Sequence, residues 1–95
     1  MVRATRQDPD AAAFGRIVRR MRKQRGFTSI KMAQRLGISP QYLGILERGG
    51  NSPTLRVIID FGECLGVDPG EIVRQVAAAR APKVVEEPAP EGGER

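Results

Sequence analysis

The chain has 95 residues, 40% of them hydrophobic, and 16 Lys+Arg against 11 Asp+Glu give a net charge of +5; this suits one small domain. With no His and a single Cys it cannot form an internal disulfide, an ordinary zinc site or a histidine-dependent catalytic centre. No apolar run approaches the roughly 18 residues of a membrane span, and MVRATRQDPDAAAF lacks an apolar signal core, so a cytoplasmic protein is expected, with no catalytic residues, no metal and no cofactor.

The charge is unevenly placed. Residues 1–25 hold eight basic side chains and two acidic ones, whereas residues 81–95 hold four Glu against Lys83 and Arg95. A basic front and an acidic back suit a face presented to a polyanion; the alternative is a solvated helix surface. Residues 1–7 are expected to be loose. Residues 81–95, with three Pro and two Gly, cannot bury a core and are expected to be disordered. No stretch longer than four residues alternates as a strand would, so residues 8–80 are predicted to be helices between stop signals.

The first helix starts at Asp8-Pro9, an N-cap acid followed by Pro at the first helical position. Phe14, Ile17, Val18 and Met21 form its buried stripe, and Arg16, Arg19, Arg20 and Lys23 fall off that stripe as a solvated or long-range steering face. Gly26 ends it. The second helix is capped by Thr28, with Phe27 placed to staple onto Met32; Met32, Ala33 and Leu36 face inward. The third is capped by Ser39, with Pro40 first and Ile38 placed to staple onto Leu43; Tyr42, Leu43 and Leu46 point to the core, and Gly49-Gly50 stop it. The fourth follows the cap Thr54, with a broad apolar face of Leu55, Ile58, Ile59, Phe61, Gly62 and Leu65. The fifth opens on Asp68-Pro69-Gly70-Glu71 as a capping box and buries Ile72, Val73 and Val76.

The second and third helices, joined by Gly37-Ile38-Ser39, meet the spacing of a helix-turn-helix over residues 28–48. Ala33 must be small where the helices cross. Gly37 supplies the positive backbone angle of the turn. Met32, Leu36, Ile38, Leu43 and Leu46 are the apolar wedge.

With RIVRRMRKQRG (16–26), MAQRLGIS (32–39), YLGILERG (42–49) and SPTLRVIIDFGECLGV (52–67) in place, the stretch from Phe14 to Val76 resembles the phage-repressor and Cro-like helix-turn-helix family, also called lambda-repressor-like. The resemblance implies an all-α, compact five-helix domain whose recognition helix, residues 39–48, enters the major groove of double-stranded DNA. It also implies a transcriptional regulator that works as a homodimer on a palindromic operator.

Residue roles follow from that docking. Pro40, Gln41, Gly44 and Ile45 line the base-reading face. Gln41 can bond bidentately to adenine, and Ile45 can touch a thymine methyl or a protein partner. Gly44 permits close approach to the duplex or is a tolerated small residue. Phosphate contacts are expected from Arg22, Thr28, Ser29, Ser39, Arg48, Asn51 and Ser52, although the family commonly has Gln where this chain has Ser29. In this family an Arg and a Glu at the positions of Arg22 and Glu47 tend to pair, which predicts a partly buried ion pair. Cys64 is read as a small hydrophobe. A small autoregulated repressor is the favoured function. The second reading is a protein-interaction module on the same fold, such as an antitoxin or anti-activator, motivated by an exposed Ile45, an exposed Val57 and an apolar-poor reading face.

Overall fold

The computed structural model describes residues 8–80; the ends expected to be loose (1–7) and disordered (81–95) lie outside the described residues. Five helices follow one another: α1 (Pro9–Gln24), α2 (Ser29–Leu36), α3 (Pro40–Glu47), α4 (Leu55–Leu65) and α5 (Pro69–Ala78). No strand occurs among the described residues.

Each helix begins where a short polar side chain meets its orphan amides. Thr28, Ser39 and Thr54 accept from the N–H groups of Lys31, Tyr42 and Val57 at 3.0–3.1 Å. Asp8 and Asp68 accept from Asp10 and Gly70 at 2.9 and 3.0 Å. Each such cap stabilises its helix by about 1 kcal/mol. The turn between α2 and α3 is closed by Gly37, whose φ of 73° is strained for a residue with a Cβ. The Ile38 N–H then donates back to the Ala33 carbonyl at 3.0 Å.

α1 is the central support, packing against α3, α4 and α5. Its Phe14, Ile17, Val18 and Met21 are buried with Met32, Ala33, Leu43, Leu46, Phe61, Leu65 and Ile72. Phe14 meets Phe61 edge to face, with ring centroids 5.3 Å apart, a geometry that adds about 0.5–1.5 kcal/mol beyond the area it buries. Where α1 crosses the end of α3, Gly15 has no room for a side chain. A Cβ there would collide with the carbonyl oxygen of Glu47, and would lie 2.5 Å from that of Leu46. Polar ties fasten the outside: Arg25 Nε donates to the Leu65 carbonyl at 2.6 Å, at the end of α4, and Arg80 forks onto Asp10 at 2.6 and 3.0 Å.

The structure departs from the sequence reading at several apolar positions. Leu55 and Ile59 are exposed, so the core-facing side of α4 is narrower than the residue pattern suggested. Phe61, Gly62 and Leu65 are buried, with Ile58 only half-buried. On α5, Ile72 is buried and Val76 is half-buried against the core, but Val73 is exposed. Val57 and Ile45 are half-buried rather than fully exposed: Val57 packs on the core cluster, and Ile45 leans on the turn after α3, where a Cβ on Gly50 would come 3.0 Å from its Cγ2. The expected capping box of α5 is only half made. Asp68 caps, but the Glu71 carboxylate turns forward to Arg74 and Gln75 instead of back to the Asp68 amide.

Candidate nucleic-acid interface

The outer side of α3 is open. Pro40 and Gln41 are exposed, Gly44 is partly exposed, and Arg48 is exposed at the C-cap. Thr28, the N-cap of α2, and Ser29, its first residue, are also exposed, as are Asn51 and Ser52 of the loop before α4. Thr28 and Ser39 use an oxygen lone pair to cap their helices, which leaves each hydroxyl proton available to a further acceptor.

A shallow groove of about 350 Å³ runs between α1, α2 and α3, lined by Arg19, Arg22, Ser29, Pro40, Gly44, Glu47 and Arg48. It gathers six residues singled out from the sequence. Gln41, Ile45, Thr28, Ser39, Asn51 and Ser52 are not in its lining. Arg19 was read as part of a steering face; its signal in the sequence is its position one turn before Arg22, on the side of α1 that meets α3.

Arg22 is buried, at 7% exposure. Its Nε and Nη2 donate to the two Glu47 carboxylate oxygens at 2.7 and 3.0 Å, and its Nη1 donates to the Phe27 carbonyl at 2.8 Å. Three of its five N–H donors are thus used inside the fold. The pair ties α1 to the end of α3, and the third bond ties it to the entry of α2. Arg22 therefore borders the groove mainly as a positioning residue.

Arg48 lies over Gly44: a Cβ on Gly44 would sit 2.9 Å from Arg48 Nη1. The missing side chain lets the guanidinium fold back along the exposed face of α3 into the groove. Farther off, Arg35 stacks on the Phe27 ring, 4.8 Å from its centroid, and so covers the start of α2. Cys64 borders a separate dent with Arg35, Leu36, Asp60 and Glu63. Burial pushes its thiol up in pKa, against a smaller opposing pull from Arg35, which disfavours a reactive thiolate. Among the described residues no group of three or more His, Cys, Asp or Glu is placed to hold a metal ion.

A family model described as helix-turn-helix matches residues 18–72. The chain belongs to the Cro/C1-type helix-turn-helix family. It is 36% identical over 63 residues to YazB of Bacillus subtilis, named as an HTH-type transcriptional regulator, covering 66% of this chain and 91% of that protein. Among solved structures it is similar to the clp gene regulator ClgR from C. glutamicum, with a TM-score of 0.72 and 26% identity over 78% of this chain and 96% of that one. It is also similar to the restriction-modification controller protein C.AhdI from Aeromonas hydrophila, with a TM-score of 0.65 and 28% identity over 68% and 98% of the two chains. The family match spans the Arg22–Glu47 pair, the α2–α3 turn and the groove, so the shared unit and the open face of α3 are one piece of structure.

Proposed function

We propose that the protein is a sequence-specific DNA-binding transcriptional regulator that inserts α3 into the major groove. The observation that carries this reading is the exposed outer face of α3, with Pro40 and Gln41 at its start and Ser29 and Arg48 both lining the adjoining groove. In this docking Gln41 reads an adenine edge, Gly44 and Ile45 approach the base pairs, and Ser29, Thr28, Ser39, Arg48, Asn51 and Ser52 bind phosphates. Arg22 holds α3 at the docking angle. With only Gln41 offering a base-edge hydrogen bond from α3, sequence-dependent DNA shape carries part of the specificity.

One short helix reads few base pairs, so two copies acting on a palindromic operator, with half-sites about 34 Å apart, are the fitting arrangement. Leu55, Ile59 and Val73 are exposed apolar side chains on α4 and α5, available to such a pairing. A repressor that controls its own synthesis, acting at the nucleoid, fits this chemistry. Among the described residues no helix is long and apolar enough to cross a membrane. The alternative of a protein-interaction module is weakened, since two of the three features behind it, full exposure of Ile45 and of Val57, are not met: both are half-buried.

The test is selection of bound sequences from a random duplex pool, followed by Gln41→Ala on the selected site. The substitution is expected to cost about 1–3 kcal/mol and to relax preference at one base pair. No enrichment from the pool, or an unchanged preference in the variant, would overturn the proposed docking.

A further inference from the structure

The cations of α1 are not scattered over solvent. Arg16, Arg19, Arg20 and Lys23 share one outer ridge with Gln24, bordering an open dent of about 490 Å³. Arg19 also lines the groove beside α3, so the two surfaces are continuous through its side chain. Arg20 is drawn towards α5, where its Nη2 donates to Gln75 Oε1 at 2.8 Å. Arg16, Arg19 and Lys23 are exposed and form no ion pair among the described residues. Three such cations within about 10 Å of helix axis repel one another, and a polyanion would relieve that repulsion.

We infer that this ridge is a second phosphate-binding surface, which takes up the DNA backbone alongside the groove, with Arg19 as the junction and Lys23 and Arg16 extending the track along α1. The inference rests on the proposed DNA-binding function and enlarges its footprint from the helix-turn-helix to the first helix. The chemistry is sequence-independent: side chains on the ridge meet phosphates and never a base edge. Its measurable signature is therefore counterion release, in which each phosphate neutralised steepens the fall of log K with log salt by about 0.9.

The experiment uses the full chain and a random-sequence 30-base-pair duplex, roughly three turns of B-DNA at 3.4 Å per base pair, titrated at several salt concentrations. The wild type is compared with the double variant Arg19→Gln/Lys23→Gln and with Arg74→Gln, a charge removed from α5. Both ridge side chains are exposed, so the double variant should keep the wild-type melting temperature. Its salt slope is expected to be shallower by about 1.8, with Arg74→Gln at the wild-type slope. A salt-dependent wild type whose slope the double variant leaves intact would overturn the ridge alone and spare the DNA-binding function. So would a loss per charge as large in Arg74→Gln, because it would mark a long-range field rather than contact. A wild type without salt-dependent duplex binding would overturn both.

Discussion

Arg22 and Glu47 lie 25 residues apart in sequence and meet through two parallel hydrogen bonds, at 2.7 and 3.0 Å, with both side chains more than nine-tenths buried. A forked pair of this kind fixes direction as well as distance. It sets the end of α3 against α1, and the Arg22 bond to the Phe27 carbonyl carries the same constraint to the entry of α2. The orientation of the open α3 face therefore depends on a contact behind it.

Removing one partner strands the other charge. Glu47→Gln or Arg22→Met is expected to lower stability by about 3–5 kcal/mol, measured by urea denaturation. The double variant Arg22→Met/Glu47→Gln should lose less than the two single losses added together. Additive losses would show that the pair is not coupled.

Gly15 and Gly44 should answer an alanine scan in opposite ways. At Gly15 a Cβ meets the backbone of Leu46 and Glu47, which cannot retreat without moving α3, so Gly15→Ala is expected to destabilise by about 1–3 kcal/mol. At Gly44 the Cβ meets only the far end of Arg48. Gly44→Ala should therefore hold or raise the melting temperature, since Ala is favoured in a helix interior by up to about 1 kcal/mol, while weakening DNA binding by displacing Arg48. Equal melting shifts in the two variants would contradict this.

The helix order, the five caps and the helix-turn-helix spacing were legible because they rest on local chemistry: a hydroxyl or carboxylate before a helix, a glycine after it, apolar residues at helical spacing. What was missed depends on how helices meet. Nothing local marks Gly15 as the crossing point of α1 and α3. Leu55, Ile59 and Val73 look like core by composition, yet α4 and α5 each turn only a narrow stripe inward. Arg19 and Arg22 are alike as residues, and only the approach of α3 makes one a groove side chain and the other a buried tie. The pairing of Arg22 with Glu47 was readable through family resemblance, whereas the bond to Phe27 was not.

Acid should loosen α5 in part through Glu71. Hydrogen bonds from Gln75 and then Arg74 hold its carboxyl below the ordinary value of 4.5, so the folded chain favours the ionised form. The resulting stabilisation is present above pH 4.5 and is lost as pH falls through the lowered folded value. Glu71→Gln should flatten that part of the stability–pH curve, read from chemical denaturation at a series of acidic pH values. An unchanged curve would show that the carboxylate's bonds do not persist in solution.

Leu55 and Ile59 are exposed on successive turns of α4. If two copies pair through this face, Leu55→Lys/Ile59→Lys should shift sedimentation towards the monomer and leave the melting temperature of the monomer nearly unchanged, because neither side chain supports the core. A dimer that survives both substitutions would place the pairing elsewhere.

The most direct measurement is amide NMR of the full chain during addition of its selected duplex. The largest shifts are expected at Ser29, Gln41, Gly44 and Ile45, with Leu55 and Val73 little moved by the DNA itself. Shifts confined to α4 and α5, with α3 silent at saturating duplex, would contradict insertion of α3 into the groove.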